Sequence, residues 1–450
     1  MIKLKFINHA SYIVETDNSI LLHDPWYEGN AFNNGWSLLS KDICNQDIIN
    51  YLLNSNKSIN IWISHEHSDH FSVPFIKALK TARLDCLFFF HNTTDKRVLK
   101  FLKANNFRVI ECIEGKEYKL EDNFFLSTYY YAGGDSFCFL RTNAKNILNI
   151  NDCVIRDEKQ AHSVLSRLPK HASIDILFTQ YGYANWIGRP EDILLRKKSA
   201  EEKFSRMLIQ NNTFNPKMII PFASFVYFCK EDNFYLNDEQ NTPEKLRRSQ
   251  ALLDIQEKIN FMKPNQEVLL DNNLLKNLQH KTVEAESYWN NLEREVKQLD
   301  KSKLSKVSES LSEDELIKLG AKYISSVRHQ TIGFVSIFEL IGIFKLKPIN
   351  FHIYDLNINL NLSYITGITS NDSQDADLSI HSSELAFVLK NEFGWNTLSV
   401  SGAFRSIRED VNGVSAFFRW QDAIKNGFSF NHPIHIIRVV SRFIYKNIFT

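Results

Sequence analysis

Three histidines and two carboxylates fall within six residues of the sequence, close behind a short apolar run. The run is Ile59–Ile63, and His65–His70 (HEHSDH) follows one residue later. Imidazole nitrogen and carboxylate oxygen are ligands of Zn²⁺, Fe²⁺ and Mn²⁺. One helix face cannot hold all five groups, whereas a loop at a strand end lets alternate side chains converge on one ion or two. The spacing therefore predicts a metal site, with a solvated polar loop as the alternative.

The HxHxDH pattern of His65–His70 resembles the signature of the metallo-β-lactamase superfamily. The stretch Leu21–Pro25 is similar to the opening strands of that fold. Ile147–Cys153, and Pro221–Phe225 followed by Asn233–Asn237, are similar to the CMP-N-acetylneuraminate hydroxylase family and its bacterial relatives. The resemblance covers about residues 1–245 and implies an αββα sandwich with a metal centre.

The resemblance also implies a set of site residues. They are His65 and His67 for a first metal, Asp69 and His70 for a second, Asp152 as a bridging carboxylate, and Asp24 as a support of the ligands. Asp24 has a plainer alternative, since an aspartate before a proline often caps a turn. For His9 the sequence leaves two alternatives: the side chain lines the site, or it is buried in the core.

The sequence departs from the family pattern at two expected histidines. One should fall near residues 135–136, where the alignment offers Tyr131, and the other falls at Cys229 and Lys230. Phenolate is a ligand known for ferric iron, and an ammonium would repel a second cation. The expected cofactor is therefore one tightly held zinc ion, with iron or manganese as alternatives and a second ion left open.

The function expected from this resemblance is metal-dependent hydrolysis of a sugar-phosphate or nucleotide-sugar type of substrate. A metal-bound hydroxide would attack, Asp69 would orient it or accept its proton, and Lys230 would hold an anionic substrate group. A sialic-acid-hydroxylase-like monooxygenase is the first alternative; it would need an external electron donor, because no CxH or CxxH pair is present. A non-catalytic binding protein with a degenerate site is the second.

Helical and strand patterns alternate along the chain, which indicates sheets covered by helices in an α/β fold. We expect a metallo-β-lactamase-like domain over residues 1–240, a polar helical connector over 241–310 and a C-terminal α+β domain over 311–450. That last domain is faintly similar to sterol-carrier-type modules. Within it, Gly333–Ile343 is predicted as a β-rich stretch.

Composition bounds the partners and the location. With 53 Lys and Arg against 52 Asp and Glu, the chain is not a globally basic nucleic-acid binder, so a small molecule, such as an anionic sugar, is the expected partner. Six scattered cysteines and the lack of a leader pattern favour the cytoplasm. The tail His432–Thr450 is basic and apolar; it would touch the inner membrane face weakly or dock as a terminal helix. The sequence does not predict the oligomeric state.

Overall fold

The computed structural model describes residues 1–170, 172–300, 302, 304–305, 309–371, 375–408 and 410–432. It divides the chain into two compact units. The first comprises Met1–Ala184, Leu194–Tyr227 and Asn237–Lys303; the second comprises Asn185–Ile193, Phe228–Leu236 and Leu304–Thr450. The tail predicted to contact a membrane or a partner lies, beyond residue 432, outside the described residues. Among the described helices, none combines the length and the apolar character that a membrane span requires.

The first 270 residues contain fifteen described strands, of which thirteen form two large mixed sheets and two, the fourth and the fourteenth, pair with each other. They are β1 (Lys3–Asn8), β2 (Ser11–Glu15), β3 (Ser19–His23), β4 (Trp36–Leu38), β5 (Ser58–Ile63), β6 (Cys86–His91), β7 (Arg108–Cys112), β8 (Glu117–Glu121), β9 (Phe124–Tyr130), β10 (Ser136–Thr142), β11 (Asn146–Asn149), β12 (Ile176–Gln180), β13 (Met218–Phe222), β14 (Val226–Phe228) and β15 (Glu267–Leu269). One sheet has the order β15-β1-β2-β3-β5-β6-β7 and the other β13-β12-β11-β10-β9-β8. Strands β3, β5, β6 and β7 are parallel, as are β11, β12 and β13.

Helices alternate with these strands and follow them along the chain. They are α1 (Asn45–Leu53), α2 (Val73–Thr81), α3 (Arg97–Ala104), α4 (Glu158–Leu165), α5 (Ile193–Phe214), α6 (Pro243–Arg248) and α7 (Leu274–Lys297). Apolar side chains of the first sheet pack with α1, α2 and α3 in one core. Between the sheets, the ring of Tyr12 stacks on that of Phe178 at 4.2 Å. The predicted α/β sandwich is confirmed.

The HEHSDH loop connects strand β5 to helix α2, and both elements have well-defined ends at the loop. Strand β5 is buried from its second residue to its end at Ile63, and α2 begins after Ser72, whose hydroxyl accepts a hydrogen bond from the Phe75 amide. Pro74 occupies the first turn of α2, where its missing amide proton costs no hydrogen bond. The loop is therefore held at both ends, which restricts where its side chains can point.

Most of the segment predicted as a connector, residues 241–310, belongs to the first compact unit. Strand β15 pairs with β1, with Val268 opposite Leu4. Helix α7 places Trp289 against Phe225, and the two rings stack at 3.8 Å. Its apolar side chains thus extend the first core, and its polar composition reflects the face that remains in solvent.

The second unit has its own sheet and core. Its strands are β16 (Ile349–Ile353), β17 (Ile358–Ser363), β18 (Gly367–Ser370), β19 (Leu378–Ile380) and β20 (Arg405–Ser406), in the order β18-β17-β16-β19-β20. Its helices are α8 (Glu313–Gln330), α9 (Phe334–Leu340), α10 (Ser382–Lys390), α11 (Gly394–Ser401) and α12 (Asn412–Lys425). This is an α+β arrangement; the likeness to sterol-carrier modules stays a prediction.

The β-structure predicted over Gly333–Ile343 is wrong, since this segment forms helix α9. Its buried members Val335 and Glu339 are four residues apart, which is a helical spacing. The Glu339 carboxylate accepts a hydrogen bond from the Tyr364 amide at 2.7 Å. Burial of one helical face therefore outweighs the β-propensity of the residues around it.

Candidate metal centre

The site is assembled at the strand ends of both large sheets. His9 follows β1, Asp24 follows β3 and His65–His70 follows β5, and these three strands run in the same direction. Asp152 follows β11 of the other sheet. Loops at the carboxyl ends of parallel strands are common places for ligand sites in α/β folds. The fold thus collects residues that are far apart in sequence.

Several of these side chains come close enough to share a metal ion. Three overlapping groups have ligand atoms within 4.8 Å of one another: His9, Asp69 and His70; His65, His67 and Asp69; and His65, His70 and Asp152. All five residues predicted as ligands therefore lie in one cluster, and the structure adds His9 to them.

His70 lies at the centre of the cluster, among three carboxylates. Its Nε2 is 3.3 Å from Asp69 Oδ2 and 3.4 Å from Asp152 Oδ2, and its Nδ1 is 3.0 Å from Asp24 Oδ2. Burial alone would lower the pKa of His70, but the carboxylates outweigh it and raise the pKa well above its usual value. So many acidic groups around one imidazole make this a place that favours positive charge.

His65 and His67 present their ring nitrogens to each other. His65 Nε2 is 2.9 Å from His67 Nδ1, and His65 Nδ1 is 2.9 Å from Ser64 Oγ. Burial lowers the pKa of His65 well below its usual value. A neutral imidazole has a lone pair available for a metal ion, so His65 is in the form that metal binding needs.

The residues present fit a divalent cation. Three buried atoms in the cluster make no hydrogen bond: His9 Nδ1, Asp69 Oδ1 and His70 Nε2. Buried polar atoms are normally satisfied, because leaving them without a partner costs free energy. A cation bound by these nitrogen and oxygen donors would remove that cost. This donor set, which combines imidazole with carboxylate, is typical of Zn²⁺, Fe²⁺ and Mn²⁺ sites.

Asp24 ties the two sheets to the centre. Its carboxylate accepts hydrogen bonds from the Ser64 amide at 2.8 Å, the Ser64 hydroxyl at 2.6 Å and Asn151 Nδ2 at 2.9 Å. The same carboxylate contacts His70 Nδ1, which leaves His70 Nε2 to face Asp69 and Asp152. Carboxylates in this position orient a ligand histidine and increase its basicity.

Strained backbone conformations occur at the same strand ends. Four non-glycine residues there have positive φ angles: His9 at 39°, Asp24 at 36°, Asn151 at 47° and Ala223 at 49°. Such conformations cost free energy and persist where the surroundings enforce them, often at functional sites. The sharp turns that they create aim the neighbouring side chains at the centre.

Two residues assigned from the alignment have other contacts. The Tyr131 hydroxyl donates to the carbonyl oxygen of Val154 at 2.8 Å. Lys230 belongs to the second unit, where its ammonium forms a buried ion pair with Glu384. The roles assigned to both from the alignment, a metal ligand and an anion-binding group, stay predictions.

The structure brings two further residues to the centre that the sequence did not single out. Asp135 is largely buried; that burial and the nearby Asp152 raise its pKa to about 7. Lys203, on α5, is partly buried, and the desolvation of its ammonium lowers its pKa to about 7. The expected position of a missing histidine pointed to the neighbourhood of Asp135, but a lysine on a long polar helix gives no such signal.

The comparisons with known proteins agree with the predicted resemblance. No family model matches the chain. Cytidine monophosphate-N-acetylneuraminic acid hydroxylase from Xenopus laevis is 36% identical over 84 residues, which is 19% of this chain and 13% of that protein. The Danio rerio hydroxylase is 33% identical over 93 residues, or 21% and 15% of the two chains. The predicted resemblance is confirmed. It spans about a seventh of the length of these relatives.

Solved structures with a similar fold include metal-dependent proteins. Igni18, a metallo hydrolase from Ignicoccus hospitalis, has a TM-score of 0.40 and 16% identity, covering 59% of this chain and 97% of its own. CmlA, a diiron β-hydroxylase from Streptomyces venezuelae, has a TM-score of 0.39 and 12% identity, covering 59% and 54%. Values this low add nothing to the description of the site, which depends on the contacts of this chain's own residues.

Proposed function

We propose that this protein is a metal-dependent hydrolase acting on a sugar-phosphate or nucleotide-sugar type of substrate. The observation that carries the proposal is the cluster of His and Asp donor atoms at the strand ends, three of them buried without a hydrogen bond. A bound ion would satisfy these buried donors, which lack partners in the protein. Hydrolysis is the reaction that such an ion supports without any further cofactor.

The ligands would come from both sheets. His65 and His67 would hold the ion with Asp69 or Asp152, and zinc, at one tightly held ion per chain, is the metal that we propose. A bound zinc ion supplies Lewis acidity and makes a coordinated water far more acidic. Asp69, 2% exposed, would orient the attacking water or accept its proton.

Other side chains of the chain hold this arrangement in place. Asp24 fixes the orientation of His70, and Trp26 packs edge-on against His9 with ring centroids 5.5 Å apart. Phe32 contacts His67 in the same way at 5.5 Å. These aromatic contacts restrict the orientation of the two imidazole rings.

We also propose the partners and the location that go with this function. The substrate is a small anionic molecule and no nucleic acid is bound, in keeping with the balanced charge of the chain. A cytoplasmic location suits the six cysteines, which are all in the free thiol form.

A hydroxylase activity is the second candidate, because the curated relatives carry that name. It would require iron at the same donor cluster. It would also require electrons from a partner protein, because the sequence contains no CxH or CxxH pair for a Rieske cluster. The histidine and carboxylate donors suit iron as well as zinc.

The assay that separates these candidates uses zinc-loaded and iron-loaded protein on the same substrates. We expect zinc-loaded wild-type protein to hydrolyse a phosphodiester or a nucleotide sugar without oxygen, and His67→Ala to lose at least most of that activity. His162→Ala, which changes an exposed histidine on α4, serves as the matched control. Oxygen-dependent turnover by the iron form alone would favour the hydroxylase. No turnover with either metal would overturn both candidates.

A further inference from the structure

The donor cluster is open to solvent on one side. His9, His65, Asp69 and His70 are buried, whereas His67 is exposed and the Asp152 side chain keeps 21% of its surface accessible. A substrate must therefore approach from the side of His67 and Asp152. The groups that surround Asp152 are then the ones that meet it first.

A lysine ammonium is linked to Asp152 through one glutamine, and the lysine is only partly buried. Lys203 Nζ donates a hydrogen bond to Gln180 Oε1, at the carboxyl end of β12. The Gln180 amide nitrogen in turn donates to Asp152 Oδ1 at 3.4 Å and to the Ala223 carbonyl at 3.5 Å. Because β11, β12 and β13 are parallel neighbours, their carboxyl ends bring these groups together. One glutamine thus links the ammonium to the exposed carboxylate.

Glu202, which precedes Lys203 in the sequence, forms its ion pairs with other cations. Glu202 is engaged by two arginines, with Arg206 at 2.8 Å and Arg156 at 3.4 Å. The hydrogen bond of Lys203 goes instead to a neutral amide, and an ammonium has three protons to donate. The vicinity of the open side therefore holds three cationic side chains, of which Lys203 keeps donors available. An oxyanion that arrived there would stabilise its charged form.

We infer that Lys203 binds an oxyanion group of the substrate, a phosphate or a carboxylate, next to the metal centre. This inference rests on the proposed function and narrows its substrate to molecules with an anionic group close to the bond that is broken. Gln180 acts as a positioning residue, since its side chain fixes the ammonium relative to Asp152. Lys203 would then perform the anion-binding role that the sequence assigned to Lys230.

Phosphate binding tests this inference without measuring turnover. Inorganic phosphate is titrated calorimetrically into wild-type, Lys203→Met and Lys198→Met proteins, each in the metal-free and the zinc-loaded form. Lys198 is an exposed lysine on the same helix, so its variant loses the same charge outside the site. We expect Lys203→Met to weaken phosphate binding at least about tenfold in both forms, because one charge-assisted contact is lost. Lys198→Met should bind phosphate with the same affinity as the wild type. Both variants should contain as much zinc as the wild type.

The variant Lys203→Arg tests whether the charge of Lys203 binds phosphate or whether the lysine has a purely structural role. Lys203→Arg keeps the charge, so it should retain most of the phosphate affinity and the thermal midpoint, and it remains informative if the methionine variant does not fold. Wild-type protein that binds no phosphate, or a folded Lys203→Met protein that binds it normally, would overturn the inference. If hydrolysis is never found but phosphate binding depends on Lys203, the proposed function fails while the anion site stands.

Discussion

Asp24 is the residue whose contacts extend furthest through the centre. It receives hydrogen bonds from two loops and fixes His70. We predict that Asp24→Asn lowers zinc affinity by about tenfold to a hundredfold, because His70 loses the carboxylate that orients it. A zinc titration against a competing chelator measures this. Asp122→Asn, at an exposed aspartate of the same unit, is the control, and equal affinities in the two variants would refute the role of Asp24.

Lys230 offers a second test at this scale. Its ammonium and the Glu384 carboxylate are both nearly inaccessible, at 4% and 3% exposure. Removing one partner of such a pair leaves a buried charge, so Lys230→Met should destabilise the protein by about 3–5 kcal/mol. Denaturant unfolding measures the change, and the double variant Lys230→Met/Glu384→Gln should recover much of it. Lost turnover with unchanged stability and zinc content would instead support the catalytic role predicted for Lys230.

The site could be predicted from sequence where its residues are neighbours in the chain. His65, His67, Asp69 and His70 form one short motif, and all four lie in the cluster. His9 could only be left open, since one histidine has no spacing to identify it. Lys203 needed the fold, because only the parallel pairing of β11 and β12 brings Gln180, and with it this lysine, next to Asp152.

At the scale of elements, α7 carries a buried acidic group. Glu293 is 7% exposed, and burial raises its pKa to about 7 despite the opposing effect of Lys297 and Lys245. Below the unfolded value of about 4.5 the group is protonated in both states. As pH rises towards 7 the unfolded chain ionises first, so stability falls by up to about 3 kcal/mol.

Glu293→Gln should remove this loss. We expect its thermal midpoint to exceed that of the wild type by a margin that widens between pH 5 and pH 8. Glu295→Gln changes an exposed neighbour on the same helix and should track the wild type at both pH values. A margin that does not change with pH would show that Glu293 does not titrate as described.

The element pattern itself could be predicted in most of the first unit, because its strands and helices have strong and different periodicities. Two segments show the limit. In Gly333–Ile343, β-branched and aromatic residues concealed a helix whose buried face became evident only from its packing. In the segment predicted as a connector, the pairing of β15 with β1 is a contact between residues more than 260 positions apart. Local patterns cannot register such a contact.

At the scale of the whole molecule, metal binding should be coupled to stability. The donors come from separate loops of both sheets, so an ion that binds them stabilises only the folded first unit. Free zinc at a hundred times its dissociation constant should add about 2.7 kcal/mol to the free energy of unfolding. Differential scanning calorimetry with and without a chelator would show it as a higher midpoint. A thermal unfolding midpoint that does not change when zinc is added would argue against a preformed site.

Elemental analysis is the most direct test of whether the cluster around His65 and His67 holds a metal ion. Wild-type protein and the His65→Ala/His67→Ala variant are purified without chelator and their zinc, iron and manganese contents are measured per chain. We expect about one equivalent of zinc in the wild type and a large loss in a variant that remains folded. Metal-free wild-type protein, or equal metal in a folded variant, would contradict it.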